Sequence, residues 1–457
     1  MFPSKYTNTI DIRDFDCDYD YVVYNSLTGY VSMIDRTCYD IVKEVENDSS
    51  AGGHISKLDE GRSTFLTSRG YILRHAQQDT DTLIKLTSFI ETLKNSYEQF
   101  SIVFYPAEKD SACAQEKLTA IFNTIATLAT SKNLERYFFH FWAFHDIETL
   151  LFEASVRMLK NVIDQELALR QCEKLYITLH SNGVENLNFH QLTPLNTSKV
   201  LKIFVDCSIV KEFHHPNDYV SRVKDTIKQA AEVGFETRLY FIITEENKTF
   251  VLNDLLDRFV VGGLFPWTIY RFYVLPFKEE RHKARIMCDM NVTHWSSLGS
   301  LIRDMAETPK YHLTSLFGGG VISKFQFLLN NRERLLPDVY YCPYIQNSYV
   351  FDLDGNIFSC PEACYAREQP EHTRVGTYIP KLMVKKKRLH VWRDRKVTEL
   401  KKCMDCCDAF ICAGGCPYES LRAKGNPYET ECQPVSKILR TGIAAHLNSF
   451  LSDFGPR

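Results

Sequence analysis

Apolar and polar positions along this chain fall into three regimes. Over residues 81–300, short apolar runs of strand length alternate with longer stretches whose apolar residues recur at helical spacing. The runs predict strands over Ser101–Tyr105, Tyr137–Trp142, Leu175–Leu179, Leu201–Val205, Thr237–Thr244 and Ile269–Leu275. The stretches between them predict amphipathic helices, among them Gln115–Thr130, Thr149–Ile163, Tyr219–Val233 and Phe250–Phe259. Six β-then-α units imply a parallel sheet with right-handed crossovers, either open or curled into a partial barrel. Functional groups are then expected at the C-terminal ends of its strands.

Residues 1–80 follow another pattern. Tyr19–Tyr24 and Tyr30–Ile34 are short Val- and Tyr-rich runs on either side of Asn25–Gly29, a hairpin signal. Asp35 and Thr37 are candidate N-caps for a helix through about Glu46. Asn47–His54 has loop composition, a helical segment near Ser63–Ser68 stops at Gly70, and the apolar Tyr71–Leu73 follows. After residue 300 the alternation is lost, and no repeat of fixed period replaces it. The expected organisation is a small α+β unit over 1–80, an α/β body over 81–310 and a cysteine-rich unit over 311–457.

Composition narrows the function classes. The chain has 457 residues, 44% of them hydrophobic, 13% aromatic and 24% charged, enough apolar material for real cores. A formal net charge of −3 argues against a broadly basic nucleic-acid binder. No apolar run reaches membrane-spanning length, and the acidic N-terminus lacks an apolar signal core. No membrane partner and no secretion are expected, and the expected location is cytoplasmic.

Cysteine usage is the informative deviation. Residues 1–341 hold six cysteines (Cys17, Cys38, Cys113, Cys172, Cys207, Cys288), whereas the last 116 residues hold nine. In a reducing compartment, clustered cysteines point to metal or cluster ligation before disulfides. Cys342 is followed by twelve residues, Gly355, four residues and Cys360. Cys403, Cys406, Cys412 and Cys416 then stand with gaps of two, five and three residues, and Cys432 follows after fifteen. Short gaps let one loop offer several sulfurs to one soft metal or iron–sulfur cluster. Gly355 predicts a tight turn between two strands, which would bring Cys342 and Cys360 together. Structural zinc is the alternative occupant.

This pattern resembles the SPASM domain of radical SAM peptide-maturing enzymes, and all seven motif positions match. The resemblance implies up to two auxiliary 4Fe-4S clusters. Cys342, Cys360 and Cys416 would serve the first, and Cys403, Cys406, Cys412 and Cys432 the second. The family often places a further cysteine between the first position and the glycine, and none stands there in this chain. Either Cys364 substitutes, or one iron site is open, or that cluster is absent. Cys407 has no role in the motif.

The resemblance extends upstream to a partial parallel (β/α)6 barrel of radical SAM type, but the landmarks of its chemistry are missing. Such a barrel follows its first strand with three closely spaced cysteines that hold the cluster chelating S-adenosylmethionine. Here Pro106–Ala112 leads only to Cys113. The glycine-rich turn expected after the second strand is replaced by Phe138–Glu148, which contains no glycine. Ser181-Asn182-Gly183 resembles the family's turn after strand three, and Phe213–Asp218 with Arg222 resembles its region after strand four. A kept scaffold without its chemistry implies a pseudoenzyme that binds no S-adenosylmethionine. The chain looks like the pseudo-radical-SAM/SPASM proteins of the GG-Bacteroidales peptide-maturation system. The partners this implies are a precursor-peptide leader and a genuine radical SAM maturase.

Tyr24–Gly29 followed by an apolar strand resembles a PqqD-like leader-recognition element, a three-stranded sheet packed on helices. In that element an exposed edge accepts the leader as an added strand. The edge is placed at Tyr30, Val31, Ser32, Met33 and Ile34. Three further features weigh less. His140, His145, Asp146 and Glu148 form a conceivable metal set, but strand alternation would point them to different faces. Lys381–Lys402 carries ten Lys or Arg, the composition of a solvated, exposed insertion or of a docking face for an acidic peptide or partner enzyme. Gly318–Gly320 lacks any phosphate-loop context. A redox or electron-relay enzyme that uses the clusters without S-adenosylmethionine is the alternative to a non-catalytic role.

Overall fold

The structure is a computed structural model. It describes residues 1–15, 17–47, 59–104, 111–130, 134, 136–143, 149–162, 174–181, 189, 198–206, 216–244, 269–275, 328, 334–342, 346–366, 370–430, 432, 435, 436, 439, 440 and 443. The expected helix at Phe250–Phe259 lies outside these residues. So do the turn residues Phe144–Glu148, Asn182 and Gly183, together with Phe213–His215, Cys207 and Gly318–Gly320. The chain divides into two compact units. One joins Met1–Thr92, Asn291–Tyr341 and Arg395–Arg457, and the other joins Leu93–Met290 and Cys342–Asp394. The expected N-terminal unit and the later part of the cysteine-rich region therefore share one compact body.

The first unit opens with β1 (Phe2–Pro3), β2 (Thr7–Asp11), β3 (Tyr21–Asn25), β4 (Val31–Ile34), α1 (Arg36–Asn47), α2 (Glu60–Ser68), β5 (Ile72–Leu73) and α3 (Gln78–Asn95). The hairpin expected around Asn25–Gly29 forms, and β2 adds to it, giving the antiparallel order β2-β3-β4. The sequence pattern missed β2 because Thr7–Asp11 carries a single large apolar residue, Ile10. The Asn25 side chain builds the turn. Its Oδ1 accepts from the Leu27 and Thr28 amides at 2.9 Å, and its Nδ2 donates to Ser4 Oγ, Thr7 Oγ1 and the Gly70 carbonyl. Gly29 closes the turn at φ +78°, where a Cβ would meet the Leu335 carbonyl oxygen at 2.1 Å.

Asp35 caps α1, accepting from the Cys38 amide at 2.7 Å, as expected. Cys38, Ile41, Val42 and Val45 lie on one helical face and are buried against Tyr21, Val23, Ile34, Leu66, Tyr71 and Ile72. At about 1.5–3 kcal/mol per large apolar side chain, that face holds the helix on the sheet. Asp59 caps α2 through the Arg62 amide, and β1 pairs with β5 in antiparallel fashion.

The second unit carries β6 (Tyr97–Phe104), α4 (Ser111–Thr130), β7 (Arg136–Ala143), α5 (Thr149–Val162), β8 (Lys174–Ser181), β9 (Ser198–Asp206), α6 (Pro216–Glu232), β10 (Phe235–Thr244) and β11 (Ile269–Leu275). All six expected strands are present, and neighbours pair in parallel in strict chain order from β6 to β11. That order contains no reversal of the kind that marks a doubly wound sheet. β6 starts four residues earlier than the apolar run suggested. Glu98 and Gln99 are buried there, Glu98 as the partner of Arg393 (Oε1 to Nη2, 3.4 Å).

The sheet then continues past β6 with β12 (Ser348–Phe351), β13 (Asn356–Phe358), β14 (Arg374–Thr377) and β15 (Met383–Val384), interspersed with α7 (Pro361–Ala366), α8 (Pro370–Thr373) and α9 (Lys386–Arg393). β12 pairs in parallel with β6, from Ser348↔Gln99 to Phe351↔Ile102, and an antiparallel meander follows, so that among the described residues ten strands share one sheet. The residues after Arg395, which belong to the first unit, form α10 (Ala409–Cys412) and α11 (Pro417–Lys424). Among the described residues, no helix is long and apolar enough to cross a membrane.

Candidate metal centre

The motif from Cys403 to Cys416 folds as a chain of tight turns. The Cys403 amide donates to Leu400, the Cys406 amide to the Cys403 carbonyl and the Ala409 amide to the Cys406 carbonyl. Asp408 then starts α10, whose Cys412 amide donates back to the Asp408 carbonyl at 2.9 Å. After Cys412 the chain runs through three consecutive left-handed residues, Ala413, Gly414 and Gly415. The middle position, at φ +76°, favours glycine, and a Cβ on Gly414 would lie 2.2 Å from Leu400 Cδ1 and 3.5 Å from Cys403 Sγ. Cys416 ends this loop directly before Pro417, the first residue of α11.

These turns rest on an apolar cluster of Tyr6, Leu27, Val339, Tyr340, Val397, Leu400, Cys403, Ala409 and Phe410. Tyr6 and Phe410 meet edge to face at 5.0 Å, and the Asp338 amide donates to the Phe410 carbonyl at 2.7 Å. A second bond runs from the central strand of the N-terminal sheet. The Tyr24 hydroxyl donates to Asp408 Oδ1, and it also contacts Ser436 Oγ at 3.0 Å. Asp408 is held above the ordinary carboxylate range by burial, against the opposing hydrogen bonds of Tyr24, Asn8 and Cys407.

Cys403, Cys412 and Cys416 are buried, Cys406 is half-buried and Cys432 is exposed. Burial first, and then the neighbouring Cys412, Cys406 and Cys432, push the Cys403 thiol up to about 12, while Arg395 opposes them. The cysteines that act on Cys403 are thus the three others that the motif assigns to the second cluster. Cys406 and Cys407 share a thiol hydrogen bond, which makes Cys406 the more readily ionised of the two, helped by the Asp408 amide. The donor set has the chemistry of a soft-metal or iron–sulfur centre. Among the described residues, no three His, Cys, Asp or Glu side chains are grouped as metal ligands where they stand.

The other motif cysteines lie in the larger unit. Gly355, at φ +89°, makes the expected tight turn between β12 and β13. Asp352 organises that turn. Its Oδ1 accepts from the Asp354 and Asn356 amides at 3.0 and 2.8 Å, and its Oδ2 accepts from Asn356 Nδ2 at 2.8 Å. Cys360 and Cys364 are buried one helical turn apart, the Cys364 amide donating to the Cys360 carbonyl at 3.0 Å, and Cys342 is half-buried. Cys416, grouped with them by motif, belongs to the other unit. Cys113 lies near the start of α4.

The proposed peptide edge differs from expectation in exposure. β4 is the last strand of its sheet, but Val31, Ser32 and Met33 are each 1% exposed and Ile34 is 3% exposed. Tyr30 is half-buried and forms an antiparallel bridge with Arg334, the Leu335 amide donating to the Gly29 carbonyl at 2.7 Å. The chain's own backbone thus occupies the start of that edge. At the opposite edge, Arg440 donates to the Asp11 carbonyl and the Thr9 amide turns to its neighbour Asn8 Oδ1. Both devices cap strand groups that would otherwise invite pairing.

His140 sits inside β7, buried and with its pKa pushed down to about 3 by burial and Lys202, so it stays neutral. The other three members of that set lie outside the described residues. The basic stretch is not a wholly solvated insertion. Lys381, Lys386, Lys387, Lys401 and Lys402 are exposed, but it also forms β15 and α9, and it buries Leu389, Trp392, Arg393 and Arg395. The sequence pattern missed the last two because their charge masks their setting. Their signal was position: both lie within the run of buried apolar residues Trp392, Val397 and Leu400. Burial pulls the Arg395 guanidinium below its ordinary range, while Cys416, Cys403 and Cys412 act in the opposite sense.

No protein-family model and no curated protein matches this chain. Solved structures with a related trace include anSMEcpe with bound AdoMet, at 11% identity and a TM-score of 0.48, covering 78% of this chain and 94% of that one. The same enzyme with AdoMet and the Cp18Cys peptide gives 13% identity and 0.48, covering 78% and 98%. SuiB of Streptococcus suis bound to the precursor peptide SuiA gives 14% and 0.43, covering 94% and 98%. At these identities and TM-scores, neither the ligands nor the activities of those proteins carry over to this chain.

Proposed function

We propose that this chain is a non-catalytic partner in ribosomal peptide maturation. In this reading it is a cytoplasmic pseudo-radical-SAM/SPASM protein of the GG-Bacteroidales kind, with a degenerate six-unit barrel. It binds a precursor leader and a genuine radical SAM maturase. The observation that carries the reading is the spacing of Cys403, Cys406, Cys412 and Cys432, whose first turns pack against the N-terminal sheet, in a chain whose first barrel strand leads only to Cys113.

Cys403, Cys406, Cys412 and Cys432 would hold one 4Fe-4S cluster, and Cys342, Cys360 and Cys416, with Cys364, a second. When bound, such a group supplies a covalent tie between loops and a store for one electron. The chain's own residues do the rest. Leu400 and Phe410 shield the buried thiols from water, Gly414 lets the loop close over Cys403, and Asp408 links the cysteine turn to Tyr24 of the sheet. A peptide strand would add where Val31 and Met33 present their amides, next to the segment that now bridges Tyr30.

The test is anaerobic purification of the full chain with iron, sulfide and zinc analysis, followed by incubation with S-adenosylmethionine and a strong reductant. Iron with matching sulfide and no 5′-deoxyadenosine is expected, with Cys113→Ala behaving as wild type. Stoichiometric zinc without sulfide would remove the cluster from the reading. Deoxyadenosine above background, lost in Cys113→Ala, would make the chain an enzyme.

A further inference from the structure

The lysines at the start of the basic stretch stand on a rigid frame. Among the described residues β15 is the last strand of the ten-stranded sheet, and α9 follows it directly. Leu389, Trp392 and Arg393 anchor α9 by burial, and Trp392 Nε1 donates to the His372 carbonyl at 3.3 Å. The Lys385 amide donates to the Val375 carbonyl at 2.7 Å, so Val384, one residue earlier, turns its N–H and C=O away from β14. Lys381, Lys385, Lys386 and Lys387 surround this edge. Among the described residues none of the four has a carboxylate within ion-pair distance. Asp394, just past α9, is already engaged by Lys94 at 3.3 Å and by His390 at 2.7 Å. Apolar side chains share the surface. Of the eight large ones that stand exposed among the described residues, Ile379, Met383 and Val391 all fall in this short stretch.

We propose that the β15 edge and the exposed face of α9 form a docking site for an extended acidic segment of a partner protein. The segment adds as a strand beside Val384, sets its carboxylates against Lys381, Lys386 and Lys387, and lays its apolar residues on Met383 and Val391. Main-chain bonds supply affinity and the side chains supply selectivity. Lysines that keep neutral strands off an edge admit an acidic one. The same groups disfavour other occupants. A second copy would bring the same lysines to an edge-to-edge pair, where like charges repel. Single-stranded nucleic acid is held by base stacking, and the aromatic rings of this stretch, Tyr378 and Trp392, are buried. The site deepens the reading of this chain as a partner-binding protein. It needs neither the cysteine ligands nor the β4 edge, and its failure would leave both standing.

The full-length protein is titrated with a labelled peptide of alternating Glu and Val, with its Gln counterpart and with a labelled DNA duplex, at low and at physiological salt. The Glu peptide is expected to bind, the Gln peptide to bind about 10-fold or more weakly, and salt to weaken the complex. The variant Lys381→Glu/Lys386→Glu/Lys387→Glu is expected to lose the Glu peptide by a similar factor. It should take up the matching peptide of Lys and Val instead, a gain that a misfolded protein does not give. Val384→Pro removes the outward N–H and no bond to β14, and is expected to weaken binding several-fold with an unchanged circular dichroism spectrum. Lys401→Glu/Lys402→Glu reverses exposed lysines elsewhere in the basic stretch and should leave the affinity as it is. No binding of the Glu peptide by the wild type, equal loss in both charge-reversed variants, or tighter binding of the duplex through the same three lysines overturns the site. Full affinity in Val384→Pro overturns the strand addition.

Discussion

Single residues in this chain act mainly by completing turns that the apolar pattern cannot specify. Asp352 is the clearest case, a mostly buried carboxylate that accepts three N–H bonds across the β12–β13 turn. Burial raises its pKa above the ordinary value, and the hydrogen bonds only partly offset that rise. A folded pKa above the unfolded one means that the native state holds the proton more tightly. The contribution to stability is fully present below the unfolded pKa and is lost as pH rises through the folded one. Asp352→Asn cannot titrate. The stability difference, variant minus wild type, is therefore expected to move in the variant's favour between pH 4 and pH 7, read as urea midpoints. A difference that is flat, or that falls with pH, would show that Asp352 is not raised. Asn25 and Gly29 work the same way at the N-terminal hairpin, and there the hairpin signal was legible because turn chemistry is local.

At the scale of elements, the register of β3 and β4 decides what the sheet edge can offer. The Asn25 amide donates to the Tyr30 carbonyl, and Val23 stands opposite Ser32. Tyr30, Ser32 and Ile34 therefore turn their backbone groups inward to β3, and Val31 and Met33 turn theirs outward. Proline at Met33 is expected to leave the β3 pairing intact yet weaken binding of a labelled leader peptide. Proline at Ser32 should destabilise the sheet itself, by about 1 kcal/mol or more for the lost bond. Titration of both variants in the full chain, with circular dichroism as the folding control, separates the two. Unchanged peptide affinity in Met33→Pro would remove this edge from consideration. The strands of the large sheet were legible for a related reason: their apolar residues form near-continuous runs of strand length. Their ends were not, because Glu98 and Gln99 extend β6 with buried polar residues whose partner, Arg393, lies far along the chain.

The whole molecule is organised differently from the order of its sequence. The N-terminal sheet and the cysteine turns from Cys403 onward form one unit, joined through Tyr6, Leu27, Phe410 and the Tyr24–Asp408 bond. Cys342, Cys360 and Cys364 belong with the ten-stranded sheet. On the proposed reading a metal at the Cys403–Cys432 thiols ties this unit together, and its removal is expected to loosen the N-terminal strands more than the large sheet. Hydrogen exchange before and after chelation checks this: amides of Thr7–Asp11 and Tyr21–Asn25 should exchange faster in the stripped protein, whereas those of Arg136–Ala143 should hardly change. Equal loosening of both, or of neither, would show that the cysteine turns do not support the sheet.

The sequence by itself determined the six parallel strands with the helices after the first, second and fourth of them, the N-terminal hairpin with its capped helix, the Gly355 turn and the cysteine spacing. Each of these is set by periodicity or by residues within a few positions of one another. Only the tertiary structure decided that β12 pairs with β6, that Arg334 covers the start of the β4 edge, and that Asp408 reaches Tyr24. It also decided that Arg395, one basic residue in a basic stretch, is buried among the carbonyls of Gly414, Gly415, Pro427 and Glu429. All four depend on which distant segments come into contact. A charged side chain has the same local signature whether it meets water or a ring of carbonyls, so long-range packing alone tells them apart.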